Sequence, residues 1–71
     1  MQKNVEVTPV ERHLLQGLRF FPLTKGQRLR IFLMMDTEEQ MLDMMRYMKN
    51  HQNATADELM AQAVEITGGL K

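Results

Sequence analysis

The chain has 71 residues, nine basic and nine acidic, with no cysteine, no serine and no tryptophan. A chain this long holds one modest core, because only about 60% of its unfolded surface is buried on folding, and without cysteine it has neither a disulfide framework nor a Cys-based zinc site. No run approaches the roughly 18 apolar residues of a membrane span, and Met1 to Val7 lacks a signal peptide's apolar stretch, so the sequence reads as a cytoplasmic protein, full length or nearly so, with no membrane partner.

Four segments share one grammar, a Thr followed three positions later by Glu or Gln: Thr8 to Glu11, Thr24 to Gln27, Thr37 to Gln40 and Thr55 to Glu58. In each the Thr hydroxyl can accept from the backbone N–H three residues on, while the Glu or Gln reaches back to the Thr N–H. Two donors orphaned at a helix start are thereby satisfied. Four such boxes ahead of apolar runs predict an all-α fold, a compact bundle of four short helices over about 9–20, 25–35, 38–50 and 56–67. Homodimerisation is one way to complete so small a core. Residues 1–7 read as an extended or flexible arm, and residues 8–71 as a single helical domain.

Helix 1 starts at Pro9, where a missing N–H costs nothing, and Val10, Leu14, Leu15 and Leu18 form its apolar stripe. Gly17 weakens its last turn and Pro22 ends it. The connector Phe20-Phe21-Pro22-Leu23 is apolar where helix connections are normally polar. Its rings either cap the core or form an exposed patch, and core capping by at least one ring is the expectation.

Helix 2 is apolar almost all round after its first turn, with Leu29, Ile31, Phe32, Leu33, Met34 and Met35 interrupted only by Arg30. Such a helix is either central to the fold or shared with a second subunit. Asp36 competes with Thr37 to cap helix 3, whose Met41, Met44, Met45 and Met48 share one face. With so short a link, helices 2 and 3 are expected to meet at an angle or as a tight hairpin, and helix 2 with the Met face of helix 3 to form the apolar centre. Ala54 can staple onto Leu59 at the start of helix 4, and Gly68-Gly69 marks its end.

Chemistry is harder to find. With no Ser or Cys, only Thr hydroxyls remain as nucleophiles of that kind, and His13 and His51 have no spacing that marks a metal pair or an acid-base dyad. The expectation is a non-enzymatic protein with no catalytic residue, no metal site and no cofactor. Methionine is the outlier, eight in 71, and its unbranched thioether adapts to partners of varying shape. The expected function is a protein-interaction module that self-associates, as a homodimer, or docks on another protein. Its face would be Leu29, Phe32, Leu33, Met34, Met35, Met41, Met44, Met45 and Met48.

The alternative is a small nucleic-acid-binding regulator. Helix 3, the Asn53-Ala54-Thr55 turn and helix 4 resemble in outline the helix-turn-helix of small transcription regulators. The outward residues of helix 4, however, would be Asp57, Glu58, Ala61, Gln62 and Glu65, the wrong sign for phosphate. Residues 1–30 hold six basic against two acidic residues and residues 31–71 three against seven. The basic set near the start of helix 2, Arg19, Lys25, Arg28 and Arg30, is what such a regulator would use, so nucleic acid is disfavoured as a partner.

Overall fold

The computed structural model describes residues 8–68, and within them the chain is all-α. Helix α1 spans Pro9–Leu18, α2 Lys25–Met34, α3 Glu38–Asn50 and α4 Ala56–Ile66. The arm expected over residues 1–7 and the second glycine of the Gly68-Gly69 pair lie outside the described residues.

All four capping boxes form. The Thr8 N–H donates to Glu11 Oε1 at 2.8 Å and the Glu11 N–H to Thr8 Oγ1 at 3.2 Å, and Thr55 with Glu58 repeats both distances. Thr37 caps α3, and the competing Asp36 instead gives its backbone N–H to Gln40 Oε1 at 2.6 Å. One amide oxygen thus takes the N–H groups of both Asp36 and Thr37. At the far end of α4, Gly68 takes φ 82°, the left-handed position that glycine fills without a Cβ penalty, and its N–H reaches Glu65 O at 3.3 Å.

Helix α1 ends two residues before Phe20, because the N–H groups of Arg19, Phe20 and Phe21 turn to carbonyls three residues back, at 3.1–3.2 Å. This tightening is how a helix exits ahead of a proline.

The core gathers Leu14 and Leu18 of α1, Leu23 of the connector, Ile31 and Met35, Met41, Met44 and Met48 of α3, Ala54, and Leu59 and Ala63 of α4. Ala54 and Leu59 are both buried, as a staple requires. Helix α1 packs on α2 and α3, and α4 packs on the same two, whereas no Cα of α2 comes within 8 Å of one of α3. The expected angled crossing or hairpin of these two helices is therefore corrected. Met35 at ψ 117° and Thr37 at ψ 159° are extended, so the short link carries the chain away from α2 instead of folding it back, and the two helices occupy opposite corners.

The same geometry corrects the place of α2. It buries only Ile31 within the helix, with Met35 just beyond it, while Phe32 and Met34 are half-buried and Leu29 and Leu33 are exposed. The centre is shared by α1, α3 and α4, with α2 contributing Ile31.

Candidate functional site: an apolar groove between α1 and α3

Two of the expected partner residues, Met45 and Met48, line a groove of about 460 Å³ where the second half of α1 meets the second half of α3. From α1 and its exit come His13, Gly17, Phe20 and Phe21; from α3 and its exit come Lys49 and Gln52 besides the two methionines. Positions 13 and 17 share one stripe of α1, and 45 with 48 and 49 one stripe of α3, while Phe20 and Gln52 follow the helix ends. Gly17 lets the tip of Met48 approach α1 closely, because a β-carbon there would stand 2.9 Å from Met48 Cε.

The connector resolves the choice between its rings by dividing them. Phe21 packs against the core and Leu23 is buried, while Phe20 is 86% exposed. Successive i to i−3 bonds rotate the backbone at Phe20 and Phe21, and the Leu23 N–H closes a tight turn onto Phe21 O at 2.7 Å. Phe20 is the functional candidate missing from the expected partner face, and its sequence signal is an aromatic between a helix-ending glycine and a proline.

The expected face itself divides. Met35, Met41, Met44 and Met48 are core residues, from 0% to 8% exposed, and of these Met48 also lines the groove. Phe32, Met34 and Met45 are half-buried. Leu29 and Leu33, one turn apart on α2, are 46% and 73% exposed and form a second apolar patch.

Of the residues that line the groove, Lys49 alone carries a formal charge. Residues 12–21 and 44–53 contain Arg12, Arg19, Arg46 and Lys49, both histidines and no carboxylate. Arg46 pairs with Asp43 at 3.1 Å, the one ion pair among the described residues. The Gln52 amide donates to Lys49 O at 3.3 Å, closing the end of α3. His51 does not join this groove: its ring stacks on Tyr47 at 4.1 Å, its Nδ1 lies 3.0 Å from Tyr47 O, and it lines a separate polar depression.

The basic set expected for nucleic acid is not one surface of free cations. Arg28 turns its Nη1 back to Leu23 O at 3.1 Å and is half-buried, while Arg19, Lys25 and Arg30 are exposed. On α4, Asp57, Glu58, Ala61 and Glu65 are exposed and Gln62 is half-buried, so its outward face is acidic. Among the described residues no three His, Asp or Glu side chains are grouped to hold a metal ion, no polar side chain is buried, and no helix is long and apolar enough to cross a membrane.

Comparison with protein-family models, with curated proteins and with solved structures finds no match to this chain.

Proposed function

We propose that this chain is a non-enzymatic, small helical protein-interaction module that docks on another protein through the groove between α1 and α3. The observation that carries this reading is Phe20: an aromatic ring, 86% exposed, at the edge of a concave surface floored by Phe21, Met45 and Met48. Large rings and flexible thioethers around a depression are what interface centres are made of. Leaving such a ring in water gains the isolated chain nothing.

Self-association is the second form of the reading and has its own surface, Leu29 and Leu33 on α2. Nucleic acid is less well supported, since the outward face of α4 is acidic and Arg28 is committed to the connector.

The test is a photo-reactive side chain placed singly at Phe20, Leu33 and, as control, Glu65, in the full chain within its native cells. Docking predicts a discrete protein adduct from position 20 and none from position 65. Self-association predicts an adduct from position 33 at twice the 8.3 kDa of one chain. If neither position 20 nor position 33 forms a discrete adduct, the reading fails.

A further inference from the structure

We infer that α2 pairs with the α2 of a second copy of this chain, antiparallel about a two-fold axis, with Leu29 of each on Leu33 of the other and Lys25 of each beside Asp36 and Glu38 of the other. The inference rests on the self-association form of the reading above, adds its register and its charge pairing, and leaves the groove between α1 and α3 free.

The helix itself places the face. At about 100° per residue, Leu29 and Leu33 each stand about 160° from Ile31, the one residue that α2 buries within its length. The two leucines therefore straddle the outward pole of the helix, where both are exposed. Lys25, one turn before Leu29, continues the stripe and is exposed too.

Charge selects the occupant. Helices favour acids in the first turn and cations in the last, and α1, α3 and α4 each carry an acid in the first turn. Helix α2 inverts the pattern: Lys25 and Arg28 stand at its start with no acid, no cation stands in its last turn, and Asp36, Glu38 and Glu39 follow just beyond its end. Arg28 is taken up by Leu23 O, and the acids also serve the start of α3. Lys25 has no such use, and no ion-pair partner among the described residues. An antiparallel second copy supplies one. Lys25 lies six residues before Ile31 and Asp36 five after it, so an axis at Ile31 that seats the leucines also brings each Lys25 level with the acids of the other copy.

Other occupants fit less well. A parallel pair would set Lys25 on Lys25 and acid on acid. The acidic α4 of a copy matches α2 in charge but offers Val64 as its one exposed large apolar side chain, and such a head-to-tail contact adds chains without closing. A nucleic acid would meet leucines at the centre of the face and carboxylates at one end. The pair is weak, because a helix of 10 residues with two leucines falls short of the surface of a permanent dimer and both copies of Arg30 come to the same flank. The chain is then a monomer at about 10 µM and pairs toward about 1 mM.

The experiment is sedimentation equilibrium of the full chain across that range, from roughly 10 µM to 1 mM. The mass should rise from 8.3 kDa toward twice that value, less so as salt is added. Leu33→Ser should weaken pairing at least about tenfold, and Lys25→Glu about threefold or more. Adding Asp36→Lys to Lys25→Glu should restore pairing to within about twofold of the parent, and this exchanged chain should pair with itself and not with the parent. Unchanged far-ultraviolet circular dichroism of each variant separates lost pairing from lost fold.

A monomer at every concentration would overturn both this inference and the self-association form, while the groove stands or falls on the adduct from position 20. Association indifferent to Leu33→Ser would overturn α2 as the face. Pairing that needs Leu33 but is not restored by the charge exchange would overturn the antiparallel register and leave self-association standing. A mass that climbs past twice that of one chain would overturn the two-fold in favour of a head-to-tail contact.

Discussion

Gly17 and the tip of Met48 stand so close that a β-carbon on the glycine would lie 2.9 Å from Met48 Cε. Two effects therefore oppose each other in Gly17→Ala. Alanine in a helix is worth about 1 kcal/mol over glycine, while pushing the end of a methionine off its rotamer costs about 0.5–1.5 kcal/mol. The obstacle is the free end of a flexible chain, so the two should nearly cancel, leaving stability within about 0.5 kcal/mol of the parent. A double-mutant cycle makes the argument sharp: in a Met48→Ala background the obstacle is gone, and Gly17→Ala should stabilise by about 1 kcal/mol in urea denaturation. An equal effect in both backgrounds would show that the close approach carries no energy.

The division of the methionines and leucines into core and surface predicts opposite responses to truncation. Met44 is fully buried between helices, and Met44→Ala should cost about 2–5 kcal/mol through lost burial and a residual cavity. For a chain this small that is a large part of its stability. Leu33, 73% exposed, should tolerate Leu33→Ser within about 0.5 kcal/mol. Thermal unfolding followed by circular dichroism separates the two, and a comparable loss from both would mean that Leu33 is covered in solution by a second copy.

The helices were legible in the sequence because a capping box is local: Thr37 and Gln40 need only each other, and nothing distant can change their spacing. The role of α2 was not legible. Leu29, Ile31, Phe32, Leu33, Met34 and Met35 are alike in hydropathy, and which of them is buried depends on where two neighbours lie. That depends in turn on the extended path through Met35 to Thr37, which keeps the backbone of α3 from lying against that of α2. The groove was legible only in part, because Met45 and Met48 were singled out by composition while Phe20 is distinguished from Phe21 by one residue of turn geometry. Only the packing of α1 on α3 brings Phe20 and Lys49 to one groove.

Each of Thr8, Thr24, Thr37 and Thr55 caps one helix with the same pair of bonds, so their removal should be similar and separable. A single Thr→Ala at any of them should cost about 1 kcal/mol. The double variant of Thr8 and Thr55 should show the sum to within about 0.5 kcal/mol, since these caps start helices that do not pack on each other. Urea titrations of the singles and the double check both statements. Strong non-additivity would mean that α1 and α4 are coupled through the shared core more tightly than their lack of direct contact implies.

Phe20 and Phe21 are adjacent and chemically identical, which makes them their own control. Phe21 packs against the buried cluster, and Phe21→Ser should lower stability by about 1–3 kcal/mol as its apolar area returns to water. Phe20 has little area to lose, so Phe20→Ser should leave the midpoint of urea unfolding nearly unchanged, within about 0.5 kcal/mol. The comparison bears directly on function. A side chain that the fold can do without, beside an identical one that it needs, is free to serve an interaction. Equal losses from the two substitutions would place the Phe20 ring inside the solution structure, and the groove would then have no exposed aromatic to offer a partner.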